Sequence, residues 1–227
     1  MKQIFKLSTN FFKVLLFLII TTLFTHKDLQ AQTWTVEGGA GSANAELGKA
    51  ICADAAGNIY VTGSFSNTVD FDFSAGTANL TSNGGNDIFI ASYTSTGAYR
   101  WSVRAGGTAA DNGQPSGGIC TDGTNVYVTG NYNGASTLFG AISLTPNGGA
   151  GTDLYVAKLN ATTGAFTWAV SMGGTANVDH GLAMCLDPSG NPYLLGSFNG
   201  TMTGACTPTS AGGSDIFVSK LNTATGA

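Results

Sequence analysis

Three acids recur in one local pattern, acid-x-Gly: Glu46-Leu47-Gly48, Asp111-Asn112-Gly113 and Asp179-His180-Gly181. Carboxylates that converge at one rim can hold Ca²⁺ through oxygen ligands. Two carboxylates about 5–9.5 Å apart can also divide the roles of glycoside hydrolysis. The plainer role is that each acid accepts hydrogen bonds from loop amides while the glycine supplies a positive φ. His180 is the one histidine outside the N-terminal segment, which leaves a single imidazole base and no multi-histidine metal site. No G-x-S-x-G, H-E-x-x-H or phosphate-cradling glycine motif stands in the context it needs. The expectation is therefore no catalytic residue. Glu46, Asp111, Asp179, His180 and Tyr132 are the candidate ligand-binding residues, and calcium is the possible metal on the three acids.

The remaining acids read as structural. Asp54, Asp122 and Asp187 head short turns, where an Asx turn explains them. Asp87, Asp153 and Asp215 open a later strand. Asp70 and Asp72 have no counterpart elsewhere in the chain. Cys52, Cys120 and Cys185 share one repeat position and read as small core residues too far apart to bridge. Cys206 stands apart, and no Cys/His spacing suggests zinc.

The elements that must hold these residues are repeated. Trp34, Trp101 and Trp168 are spaced 67 residues apart. Each is followed by a glycine pair (Gly38-Gly39, Gly106-Gly107, Gly173-Gly174), the acid-x-Gly motif and a cysteine-bearing segment. Then come Ile59-Tyr60-Val61-Thr62-Gly63, Val126-Tyr127-Val128-Thr129-Gly130 and Pro192-Tyr193-Leu194-Leu195-Gly196. Asp87-Ile88-Phe89-Ile90, Asp153-Leu154-Tyr155-Val156 and Asp215-Ile216-Phe217-Val218 follow, and each unit closes on Thr-Gly-Ala. These segments predict four strands per unit: a (50–54), b (58–65), c (87–93) and d (99–104) in the first, with no helical periodicity. Strands a to c are apolar on both faces, as in a sheet covered by neighbours on both sides. Four-stranded antiparallel sheets repeated at this length predict an all-β, β-propeller-type array, with units at about 34–100, 101–167 and 168–227.

The combination of acid-x-Gly, D-x-x-G-N-x-Y-V-T-G, D-I-F-V-x-K-L and Trp…Gly-Gly over residues 34–227 resembles the SBBP repeat, a seven-bladed β-propeller repeat of secreted bacterial proteins. The resemblance implies fold and export, and no single activity. The strand order runs d, abc-d, abc-d, abc, so the units are out of phase with their own sheets. Three blades fall below the usual four to eight. The expectation is an incomplete ring with further blades beyond Ala227 or, if the chain is complete, a homodimer of six blades.

Long d–a loops (40–49, 108–117, 175–182) and b–c loops (66–86, 133–152, 199–214) share one face, the default binding surface. Tyr132 and Phe139 are expected there as exposed loop aromatics suited to stacking on sugars, with packing within the blade an equal alternative.

Residues 1–31 form a signal peptide. Lys2, Lys6 and Lys13 precede the apolar run Val14–Phe24, and Leu29-Gln30-Ala31 ends in the small residue that cleavage needs, so the mature chain starts at Gln32. That run is short of the roughly 20 residues a membrane helix takes. Cleavage leaves five basic against twelve acidic residues, a balance of −7. So acidic a surface argues against nucleic acid and anionic lipid as partners, and no membrane insertion is expected after cleavage. The expectation is a secreted or cell-surface, non-enzymatic binding or scaffold module for a polysaccharide, a surface protein or calcium. The alternative is a hydrolase acting on polysaccharide, or the binding portion of a larger surface enzyme.

Overall fold

Most of the aromatic and β-branched runs among the described residues become strands, and no helix occurs among those residues. The computed structural model describes residues 38–111, 117–134, 136–147, 151–174, 178–204 and 206–226, all within the unit Val36–Ala227. The leader assigned to 1–31 and the Trp34 strand lie outside them, as do 112–116 and 175–177 in two acid-bearing loops.

Fifteen strands follow one another: β1 (Leu47–Ala53), β2 (Ile59–Phe65), β3 (Thr68–Asp70), β4 (Asn79–Thr81), β5 (Asp87–Tyr93), β6 (Tyr99–Gly106), β7 (Gly118–Thr121), β8 (Asn125–Tyr132), β9 (Thr137–Phe139), β10 (Ile142–Leu144), β11 (Asp153–Asn160), β12 (Phe166–Gly174), β13 (His180–Leu186), β14 (Pro192–Thr203) and β15 (Thr209–Lys220). Antiparallel pairing groups β1-β2-β5-β6 into a first sheet and β7-β8-β11-β12 into a second. β13-β14-β15 form a third. The tight turn between the two innermost strands of each sheet needs a left-handed residue. Gly57, Gly123 and Gly190 supply it at φ 81°, 83° and 79°. Asp54, Asp122 and Asp187 head these turns, each accepting two backbone amides within the turn.

Packing explains why the inner strands are apolar on both faces. Each sheet has a front face, directed at the preceding sheet, and a back face, directed at the next. Tyr60, Ile88, Ile90 and Trp101 on the back of the first sheet meet Val128, Tyr155 and Leu159 on the front of the second. Tyr127, Leu154, Val156 and Trp168 on the back of the second meet Leu194, Phe198 and Phe217 on the front of the third. Burying each such side chain contributes about 1.5–3 kcal/mol. Trp101 and Trp168 also reach forward, Trp101 Nε1 donating to Ala161 O at 3.0 Å and Trp168 Nε1 to Thr223 O at 3.2 Å. Innermost, β7 lies so close to β13 that a Cβ on Gly118 would stand 2.7 Å from the Ala183 Cα.

Three expectations need correction. The b–c segments are not simple loops: β3–β4 and β9–β10 are small hairpins there, and β14 and β15 run on past their sheet to pair Thr201 with Thr209. β9 and the end of β14 bind the preceding sheet, whereas β3–β4 pairs only with itself. Ala105 and Gly106 pair with Phe139 and Leu138, and Gly173 and Gly174 with Thr203 and Met202. The links make the whole a nearly closed, barrel-like sheet. Second, strand a starts earlier than expected, and the acid-x-Gly glycines Gly48 and Gly181 sit inside it at bulges with no positive φ. At Gly181 the need is space, since a Cβ would overlap the Thr129 hydroxyl. Third, the third sheet is covered on its front only; Ile216 and Val218 on its back are exposed.

Candidate functional site

Asp111 and Asp179 are fully buried at the two sheet junctions, in matching hydrogen-bond cradles. Asp111 Oδ2 accepts the Gly107 amide at 2.8 Å, and its Oδ1 accepts the Asn133 amide at 3.0 Å and the Thr137 hydroxyl at 3.1 Å. Asp179 Oδ2 accepts the Gly174 amide at 2.8 Å and Oδ1 the Asn199 amide at 3.1 Å. Each carboxylate thus ties the end of one sheet's outer strand to the hairpin of the next. Burial raises the pKa of both, opposed by those same hydrogen bonds. Glu46 departs from the pattern. It is half-buried, with Oε2 accepting the Ser42 amide at 3.0 Å and Oε1 the Ser42 hydroxyl at 2.6 Å.

The three acids occupy three separate positions, and among the described residues no three His, Cys, Asp or Glu side chains are grouped to hold a metal ion. What the structure does pair is each junction acid with a strand-c acid. Asp87 and Asp153 are fully buried, and burial pushes both up to about 6. The Asn83 amide and the Arg104 guanidinium, 3.6 Å away, pull Asp87 back down, while the Asp111 charge pushes it up. The Asn147 amide and Ser171 hydroxyl ease Asp153, and the Asp179 charge acts against it. Beside each lies the first glycine of the Gly-Gly pair: a Cβ on Gly106 or Gly173 would overlap the carboxylate. That recurrent pairing of Gly-Gly with a strand-opening Asp was the sequence signal for these sites. Buried as they are, the pairs present no carboxylate to a polysaccharide.

Tyr132 and Phe139 are likewise corrected: both are fully buried rather than exposed. Tyr132 donates its hydroxyl to Ser171 Oγ at 2.7 Å and lies edge-on to Tyr155, and Phe139 packs 4.8 Å from the Tyr155 ring. The inward alternation of β8 and β9 places them in the core, so neither ring can stack on a sugar.

His180 begins β13 and is half-buried. Burial lowers its pKa; the Asp179 carboxylate raises it and the Lys49 ammonium lowers it further. Lys49, on β1, is half-buried too, and burial lowers its pKa. Asp179, His180 and Lys49 therefore share one neighbourhood at the ends of the innermost strands. Lys49 has no counterpart in the other repeats, so no periodic signal marked it. The four cysteines are free. Cys120 is buried, and burial, with the nearby Cys52 and Cys185, pushes its thiol up to about 12, so it stays protonated.

No family model matches the chain, and no curated protein matches it.

Proposed function

We propose that this chain is an exported, non-catalytic β-propeller-type array that acts as a binding or scaffold module at the cell surface. The observation that carries the reading is the repeated junction, in which one buried aspartate, Asp111 or Asp179, spends its oxygens on amides of two successive sheets. Acids used in this way hold a scaffold together. Support for propeller geometry comes from antiparallel strand groups, two of four strands and one of three, that pack face to face at the sequence repeat. Kinship with the SBBP repeat is proposed on the motifs themselves. Export is proposed on the basic, apolar and small-residue order of residues 1–31.

The binding end is the one where Lys49 and His180 gather, and the ligand class is an extracellular polysaccharide or surface protein. A glycan and matrix-protein array tests it. Binding to a polyanionic glycan that weakens at least tenfold in Lys49→Ala or His180→Ala supports the site. Uniform silence across the array, or binding indifferent to both changes, rejects it. N-terminal sequencing of protein secreted from a bacterial host is expected to start at Gln32.

A further inference from the structure

An open cleft of about 690 Å³ runs along the outer edge of β6, where Ser102, Val103 and Arg104 all line it. Neighbouring residues of a strand point to opposite faces, so a cleft that touches three in a row lies along the strand's edge. The same holds for the facing wall, where Asn79, Leu80 and Thr81 of β4 line it in succession. Both edges are open. β9 pairs only with Ala105 and Gly106 at the C-terminal end of β6, and among the described residues no strand pairs with Tyr99–Arg104 on that side. β4 pairs with β3 alone. In an antiparallel strand, every second residue turns its amide and carbonyl to the same edge. This stretch of β6 therefore presents the row of backbone donors and acceptors that an incoming strand completes.

The groove is not one that a further repeat would fill. It lies between two sheets that are both present, and its remaining lining comes from the second repeat, with exposed Leu138 on β9 and half-buried Phe166 at the start of β12. Arg104 is the one charged residue that lines it, in a chain of net charge −4. Position 104 departs from the repeat: the residue 67 positions on is Ser171. Both side chains approach the strand-c acid, Arg104 Nε standing 3.6 Å from Asp87 Oδ2 and Ser171 Oγ 3.4 Å from Asp153 Oδ2. A serine thus serves the second junction, and the guanidinium adds a charge and a reach that the scaffold does not require. Its Nη1 donates to the Thr81 carbonyl at 2.5 Å, so the side chain spans from β6 to β4. Asp87 lies fully buried behind it and does not line the groove.

We propose that the β6 edge is a docking groove for an extended acidic segment of a partner protein. The segment adds as a strand beside Tyr99–Arg104, sets a carboxylate on Arg104 and rests apolar side chains against Leu138 and Phe166. Main-chain pairing of this kind supplies affinity, and the alternating side chains supply specificity. A glycan could meet the guanidinium but has no matched series of amides and carbonyls for the edge. The groove is separate from the Lys49 and His180 end, and its occupation does not depend on that end having a ligand.

Panning a phage-displayed library of random short peptides on the purified full chain is the test. Sequences alternating acidic and apolar residues are expected to be enriched. The best of them, made synthetically, should bind Arg104→Ser roughly tenfold more weakly, as the loss of one charge-assisted contact implies. Leu138→Glu, a surface change at the groove rim, should weaken binding to a similar degree and covers the case in which the Arg104 variant does not fold. With the unaltered chain, the peptide should slow amide exchange within Trp101–Arg104. N-methylation of one alternate set of its amides should abolish binding, and methylation of the other set should leave it. No enriched sequence, enrichment of basic sequences, binding indifferent to both substitutions or to both methylations, or protection confined to other strands overturns the proposal. Displacement of the peptide by a polyanionic glycan at equal concentration overturns it as well and makes the groove a sugar site. Lys49→Ala and His180→Ala are expected to bind the peptide unchanged, so the two sites fail separately.

Discussion

At the scale of the residue, carboxylates at the sheet junctions carry most of the specificity. Removing the Asp111 side chain strands the buried Gly107 amide, and a buried donor left unpaired costs about 1–3 kcal/mol. Asp111→Ala and Asp179→Ala are each expected to lower stability by that amount in urea titration. Asp87 and Asp153 carry a dependence on protons. Their folded pKa of about 6 lies above the ordinary aspartate value of 3.8, so the folded state holds the proton more tightly. Their stabilisation is complete below about pH 4 and is lost as the pH rises through 6. Asp111 and Asp179 are shifted in the same direction. Stability is thus expected to decline from pH 4 to 7, by roughly 1–3 kcal/mol per strand-c acid. Asp153→Asn should make the slope shallower in thermal melts across that range, and an unchanged slope would rule out this account of the acid. The turn acids, including Asp187 with its Asn191 side-chain hydrogen bonds, are shifted downward, so their stabilisation is present above the usual carboxylate range and is lost only as the pH falls below it.

At the scale of the element, the glycine pair closes each outer strand for two separate reasons. Gly106 leaves room for the Asp87 carboxylate, and Gly107 donates the amide that Asp111 accepts. Gly106→Ala forces a methyl into a buried carboxylate, and overpacking of this kind costs about 1–3 kcal/mol. The expected result is a lower urea midpoint with an unchanged m-value. Trp101 links two sheets through its ring and its Nε1 bond to Ala161 O. Trp101→Ala should cost about 3–5 kcal/mol and weaken the first junction more than the second, as hydrogen exchange resolved by strand would show. The small hairpins β3–β4 and β9–β10 escaped sequence reading because three-residue strands give no alternation to detect. In the case of β9, moreover, one hydrogen-bonded partner lies on the preceding sheet.

At the scale of the whole molecule, stability in such an array is a sum over sheets and their junctions. The second sheet is packed on both faces and the third on its front alone. Native-state exchange is therefore expected to show β8 and β11 as the most protected strands and β15 as the least, at concentrations where the chain is dilute. Equal protection in β11 and β15 would mean that the back of the third sheet is covered after all.

The 67-residue spacing, the all-β character and the Asx turns were legible in the residues because each is local or periodic, and a strand pattern or turn motif needs only its neighbours. The strand-c acids were legible as structural for the same reason. Distances between separate repeats were not. Tyr132 belongs to the core because β8 turns that side inward against β11, and Glu46, Asp111 and Asp179 stay apart because each is held in its own loop. The meeting of Asp87 with Asp111 and of Lys49 with His180, and the bare back of the third sheet, all depend on which faces pack together. Side-chain alternation marks a face as apolar; only the assembled sheets determine what covers it.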